Sequence, residues 1–338
     1  MSIVRVSGSR MPPPMRSAAA FDPTYGFDRE ALLAQKPHDA EPEDLDAFWA
    51  GIAEEAEQID PDPVVGPWTS HADHPGVEMA DIRYRSLDGI EIGGWLTRPV
   101  RPIRPTSRAL VVGHGYGGRS EPDLADVPDD AIAIFPVLRG LPTRSAVPGV
   151  GDDGIHHVLW GIHAPRAYSH IGSVVDTWLA AAIVRRLFPQ IRELGYIGGS
   201  FGGGIGALAA GFIQCFDAVV LEVPSFGNHP WRVTVESEGS ANRVRLHAQE
   251  HPGVMETLAY ADAATAARRI HVPALVLPAL ADPVVPPPGQ FAVAVSLAGP
   301  TWVHVLSHGH CGGGDGCDDE RDDRASAISR FLADELPG

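Results

Sequence analysis

The stretch Leu306–Glu320, LSHGHCGGGDGCDDE, brings His308, His310, Cys311 and Cys317 within ten residues of one another. Two chemistries use such residues. The first is metal ligation, but the spacings match neither the C-x₂₋₄-C nor the H-x₃₋₅-H pattern of structural zinc sites, and there is no second cysteine pair, so no metal is expected. The second is general-base catalysis, in which one of the histidines serves a nucleophile supplied from elsewhere in the chain. The acids that follow, Asp315 to Asp323, suit the start of a last helix, where negative charge complements the helix dipole.

The nucleophile is found in GYIGGSFGGGIG. Gly198-Gly199-Ser200-Phe201-Gly202 fits G-x-S-x-G, and an apolar strand-like run precedes it while a helix-like run follows. That context is the nucleophile elbow, a strained turn whose glycines let strand and helix pack closely. The helix beyond the turn offers free N–H groups and positive potential. A competing pattern overlaps it. Gly202-Gly203-Gly204-Ile205-Gly206-Ala207 meets the loose dinucleotide fingerprint G-x-G-x-x-A, with Glu222 about 20 residues on. That reading would set a nucleotide unit late in the chain and leave the other motifs unused.

A serine nucleophile needs a base, an acid that orients it, and an oxyanion hole. After Ser200 the run PALVLPAL ends in Asp282, at the carboxyl end of an expected strand. The next run, TWVHVL, leads into His308 and His310. The order Ser, Asp, His is that of α/β-hydrolases. Both histidines are candidates by position; Gly309 and Gly312 to Gly314 make a tight loop that favours His310. The oxyanion donors are expected from the N–H of Phe201 and from the loop VVGHGYGG at residues 111–118. No metal or organic cofactor is called for. Trp160 and Trp231 are candidate pocket walls, from the Gly/Pro-rich loop 140–165 and from PSFGNHPW at 224–231.

The elements that must hold these residues follow from periodicity. Residues 44–60 read as an amphipathic helix with Phe48, Trp49, Ile52 and Ala56 on one face. Residues 81–100 read as a hairpin turning at Asp88-Gly89. Strands are expected at 108–115, 131–137, 194–199, 216–223, 271–280 and 301–306, and helices at 167–188, 201–213, 288–297 and 319–336. Such alternation gives βαβ units and a mostly parallel central sheet flanked by helices. Residues 1–20 look like a flexible leader with little to bury, followed by one α/β-hydrolase domain over 21–338 with an N-terminal helix and hairpin extension.

Bulk composition narrows the function classes. In 338 residues the net charge is −17, which disfavours nucleic acid and anionic membrane as partners. Lys36 is the sole lysine, so Schiff-base chemistry is not expected. Three cysteines, Cys215, Cys311 and Cys317, make no disulfide framework, and a cytoplasmic location is the simpler expectation. There is no secretory h-region and no apolar run long enough to span a membrane.

With these residues in hand, the chain resembles the acetyl xylan esterase / cephalosporin C deacetylase family, carbohydrate esterase family 7, from about Phe21 to the end. The likeness is carried by FDPTYGFDREALLAQKP, YRSLDGIEIGGWLTRP, GHGYGG, LRG, YSHIGSVVDTWLAA, GGSFGGG, ALADPVVPP and HGHC. It implies an α/β-hydrolase fold, with Ser200 as nucleophile, His310 as base and Asp282 as orienting acid. Tyr116 and Phe201 would be the oxyanion donors, and Arg139 would lie at the substrate. It further implies a small-molecule or oligosaccharide ester as substrate and a homo-oligomer, commonly a hexamer. Three signature positions depart from the family: R-G-Q reads Arg139-Gly140-Leu141, G-x-S-Q-G carries Phe201, and His-Glu reads His310-Cys311. The triad survives these changes, so ester hydrolysis is expected, in a site more apolar than usual. A broader carboxylesterase, a peptidase, or a non-catalytic binding protein of the same fold are the alternatives.

Overall fold

The computed structural model describes residues 2–9, 20–36, 38, 41–100, 107–151, 153–310 and 320–338. Its apolar runs form the centre of a twelve-stranded sheet. The strands are β1 (Ser2–Gly8), β2 (Val64–Val65), β3 (Thr69–Ser70), β4 (Val77–Arg85), β5 (Glu91–Pro99), β6 (Arg108–Val112), β7 (Ile132–Pro136), β8 (Glu193–Gly199), β9 (Ala218–Glu222), β10 (Ala274–Leu277), β11 (Ala279–Ala281) and β12 (Pro300–His308). They run in the order β1-β12-β10-β9-β8-β6-β7-β5-β4-β2, with β11 on β12 and β3 on β4. From β1 to β7 every pairing is parallel, and from β7 through β5 and β4 the sheet becomes antiparallel. The α/β-hydrolase expectation therefore holds, including the hairpin of β4 and β5. Its turn places Asp88 at φ 62° and Gly89 at φ 73°, the left-handed region that Asp-Gly tolerates.

The helix Ser169–Leu187 is buried along almost its whole length. It lies between the sheet and the helix Leu45–Glu57, so it needs apolar residues on more than one side. Trp49 fastens this layer: its ring stacks on Phe212 at 4.5 Å and meets Trp178 edge-on at 5.8 Å.

Two expectations need correction. Residues 2–8 of the segment read as a flexible leader form β1, which adds to the sheet edge beside β12. The sequence there alternates Ile3, Arg5 and Ser7 with Val4 and Val6, and β-branched residues at alternate positions favour extended pairing. Residues 10–19 of that segment lie outside the described residues. The run 271–280 is two strands. Pro278, which has no N–H for the ladder, separates β10 from β11, and β11 then pairs with β12 alone, Ala279 opposite Leu306 and Ala281 opposite His308. This swerve brings the residue after β11 beside the residues after β12.

Candidate active site

Ser200 stands between β8 and the helix Phe201–Phe212 at φ 55°, ψ −117°, a strained conformation for a non-glycine residue. Its N–H donates to the Glu222 carbonyl at 2.9 Å, and its carbonyl accepts from Gly204 and Ser225. The motif glycines are needed for space. A Cβ on Gly198 would stand 2.8 Å from the backbone of Gly202, and one on Gly202 would stand 2.9 Å from the backbone of His114. The dinucleotide reading loses its basis here. Gly203 packs on the backbone of Glu222 and Pro224, Gly204 on Phe226 and Gly206 on Tyr196, and the Glu222 carboxylate is held by Arg324.

The other two predicted members converge on the serine. His310 Nε2 lies 2.8 Å from Ser200 Oγ, and His310 Nδ1 lies 2.8 Å from Asp282 Oδ2. Of the two histidines, His310 is thus the one brought to Ser200; His308 is the last residue of β12. Gly309 makes the approach possible, since a Cβ there would fall 2.3 Å from Asp282 Oδ2. Asp282 is fully buried. Its Oδ1 accepts from the N–H groups of Val284 and Val285, and its Oδ2 accepts from Gln290 Nε2 at 2.9 Å as well as facing the imidazole. Gln290 is itself fixed, donating to the Val285 carbonyl and accepting from the Ala279 N–H. Burial pulls the His310 imidazole down, but the hydrogen bond and charge of Asp282, with Glu222 adding to them, more than offset it and hold the ring above its ordinary value. The hydrogen-bonding order leaves Nδ1 as donor to the carboxylate and Nε2 free to take a proton from the serine.

The loop 113–118 is pinned by groups that the motifs alone do not reveal. His114 Nε2 accepts from the Leu138 N–H at 2.9 Å, so Nδ1 carries the proton and donates to the Gly115 carbonyl at 2.7 Å. Burial drives His114 down to about 3, so it stays neutral. Tyr116 stacks on Phe201 at 4.2 Å, and its hydroxyl is 2.7 Å from His170 Nε2. Among the described residues, the backbone N–H groups of Tyr116 and Phe201 make no backbone hydrogen bond.

Three predicted site residues are not brought to the serine. Arg139 is 3% exposed, with its Nε and Nη2 on the buried Asp176 carboxylate and Nη2 on Ser86 Oγ. Its expectation as a substrate contact is corrected: it locks the hairpin to the helix Ser169–Leu187. Trp231 packs against Tyr25 and Phe27, and Trp160 against His157. The cavity that reaches Ser200 has a volume of about 360 Å³ and is lined by neither tryptophan. Leu141 and Phe201 are both fully buried in the core behind the serine. The cavity itself is edged by charged side chains, Glu222 and Arg324 among them.

Cys311 and Cys317 lie outside the described residues. Among those described, no group of three or more His, Cys, Asp or Glu side chains is arranged to hold a metal ion. Likewise, no helix among them is long and apolar enough to cross a membrane.

Residues 26–314 match the model of the acetyl xylan esterase (AXE1) family. Among solved structures, the acetyl xylan esterase from Paenibacillus sp. R4 superimposes with a TM-score of 0.78 at 23% identity, covering 90% of this chain and 100% of that one. Acetyl xylan esterase 1 from Thermoanaerobacterium sp. JW/SL YS485 gives 0.75 at 21% identity, covering 91% and 99%. An acylaminoacyl peptidase from Pyrococcus horikoshii gives 0.59 at 17% identity, covering 76% of this chain and 41% of that one. These likenesses place the fold among α/β-hydrolases. By the family match over most of its length, the chain belongs to the acetyl xylan esterase family and is a carboxylic ester hydrolase.

Proposed function

We propose that the chain hydrolyses acetyl or other short acyl esters of carbohydrates or small molecules through Ser200, His310 and Asp282. The observation that carries this is the unbroken chain of 2.8 Å contacts from Ser200 Oγ through His310 to Asp282, on a strained elbow. His310 Nε2 takes the serine proton as Oγ attacks the ester carbonyl. Asp282 stabilises the imidazolium, and the N–H groups of Tyr116 and Phe201 receive the oxyanion. His310 then protonates the leaving alcohol. In the second step it takes a proton from water, and the acyl-serine is cleaved to free acid. The short-acyl preference rests on the filled layer behind the serine, where the Phe201, Tyr116 and Phe226 rings lie 4.2–6.3 Å apart. A cytoplasmic location and a homo-oligomeric, hexameric state enter the proposal from the cysteine pattern and the family resemblance alone.

The test is hydrolysis of p-nitrophenyl acetate, butyrate and octanoate by the wild type and by Ser200→Ala, with and without a chelator. The expected outcome is acetate above butyrate above octanoate, no chelator effect, and a loss of about 10⁶ in kcat in the variant. Activity surviving Ser200→Ala would overturn the assignment.

A further inference from the structure

Ser200, His310 and the loop 113–118 come from separate stretches of chain, and one guanidinium is tied to all of them. Arg324 stands in the first turn of the helix Arg321–Glu335. Its Nε donates to Glu222 Oε1 at 2.7 Å, its Nη1 to Asp126 Oδ1 at 3.1 Å and its Nη2 to Asp126 Oδ2 at 2.8 Å, with a further Nη2 contact to Glu222 Oε2. All three side chains are mostly shielded, at 24%, 17% and 24% exposure for Arg324, Asp126 and Glu222.

Each arm of this clasp ends on a catalytic segment. Glu222 is the last residue of β9 and backs the nucleophile elbow. Its carbonyl accepts from the Ser200 N–H at 2.9 Å, and the Ser200 carbonyl accepts from the Ser225 N–H at 3.1 Å. A Cβ on Gly203 would fall 2.8 Å from the Glu222 carbonyl oxygen, so the end of β9 and the elbow helix cannot move independently. Asp126 lies in the stretch that continues from the loop 113–118 towards β7. The helix of Arg324 follows His310 in the chain, and Glu320 fastens its start to the end of β12. The Glu320 carboxylate accepts from the Ser307 N–H at 2.8 Å and from Ser307 Oγ at 2.6 Å.

A planar fork of N–H donors fixes angles as well as distances when it meets two carboxylates. Such fixing matters for catalysis, because a misplacement of about 1 Å at the reacting atoms can cost about 10²-fold in rate. The charge of Arg324 acts as well. Asp282 and Glu222 are the charged groups that raise the His310 imidazole, and Arg324 sits against the second of them. Its positive charge offsets part of the pull of Glu222 on the ring.

We infer that Arg324 is a positioning residue for the hydrolysis: its clasp on Glu222 and Asp126 holds the elbow, the segment after β12 and the segment after the loop 113–118 in one fixed arrangement. This rests on the ester-hydrolase reading of Ser200 and His310, and adds what keeps that pair at 2.8 Å.

The experiment compares wild type, Arg324→Gln, Arg324→Lys and Asp126→Asn on p-nitrophenyl acetate. It reads kcat, KM and the acidic limb of kcat/KM at 25 °C, with a melting curve for each protein. Arg324→Gln is expected to lose about 10²-fold in kcat with KM within about twofold of wild type. Its acidic limb moves to higher pH, because Glu222 then acts on His310 without its counter-charge. Arg324→Lys keeps the charge but not the fork, so its limb stays in place while kcat falls about tenfold. Asp126→Asn is the milder change and serves if Arg324→Gln does not fold. Its kcat falls with KM unchanged, and its limb moves to lower pH, since Arg324 then offsets Glu222 more fully. A lower melting temperature with kcat and limb as in wild type would mark a purely structural ion pair and overturn the inference. A loss confined to KM would also overturn it, in favour of a substrate contact. Absence of ester hydrolysis by the wild type would overturn the reading of Ser200 itself, and this inference with it.

Discussion

At the scale of single residues, Asp282 has its geometry settled before any substrate arrives. Two backbone N–H groups and Gln290 orient its buried carboxylate, so the proton on His310 Nδ1 has a fixed destination. The charge of Asp282, helped by Glu222, holds the imidazole above its ordinary value, and a base works only when neutral. The acidic limb of kcat/KM is therefore expected to have its midpoint above about 6.5, with activity lost as pH falls through it. Asp282→Asn removes the main raising group and should move the limb to lower pH, while kcat falls about 10⁴-fold. A pH profile of p-nitrophenyl acetate hydrolysis for both proteins decides it; a limb that stays in place or moves up would separate Asp282 from His310. Ser200 and Asp282 were readable because the order of motifs and strand ends is a one-dimensional signal; that order left both His308 and His310 open, and the flanking glycines and the family resemblance favoured His310. Gln290 was not, because its link to Asp282 depends on how the chain after β11 folds back. Glu222 and Arg324 were not legible as a pair either, since 102 residues separate them.

At the scale of elements, the parallel strands were legible as short apolar runs, and the hairpin as an Asp-Gly turn, because both signals are local. The role of Arg139 was not. Its partner Asp176 lies 37 residues on, inside a helix that reads simply as apolar, and the neighbouring Leu138 N–H donates to His114 in the loop 113–118. Burial decides between the roles. Arg139→Ala strands the Asp176 carboxylate, which is 0% exposed, and breaking a buried pair from one side costs about 3–5 kcal/mol. Thermal unfolding should then come on the order of 10 °C earlier. The double variant Arg139→Met, Asp176→Leu should recover most of that loss, since neither charge is left alone. A normal melting temperature combined with a raised KM in Arg139→Ala would restore Arg139 as a substrate contact.

At the scale of the whole molecule, the site depends on the carboxyl ends of β8, β11 and β12 lying at the same end of the sheet, with β9 and β10 between β8 and β12, and the sheet reaches past β12 to β1. The strand β1 was hidden in the sequence because its stabilisation comes from pairing more than from burial. Val4 and Val6 remain 58% and 38% exposed, so the segment lacks the apolar run that marks an inner strand. It nevertheless pairs with Pro300 to Val305, with one register shift between Ile3 and Arg5, and the Ser9 N–H donates to the Val305 carbonyl at 2.7 Å. Ser7 Oγ also lies 3.0 Å from His304 Nδ1, and Ser307 Oγ donates to Ser9 Oγ. A chain beginning at Phe21 loses these bonds and makes β12, the strand that leads to His310, an edge. Each hydrogen bond is worth about 0.5–1.5 kcal/mol net, and the freed residues regain entropy, so the loss should be roughly 1–3 kcal/mol. Melting should fall by a few degrees, on the order of 5 °C. Activity at 25 °C should fall much less, because β11 still pairs with β12 at Ala281 and His308, and Gln290 still holds Asp282. Calorimetry together with initial rates on p-nitrophenyl acetate tests both halves. An unchanged melting temperature would mean that β1 adds nothing to the sheet. Inactivation without a thermal shift would mean that β1, and not β11, sets the position of His310.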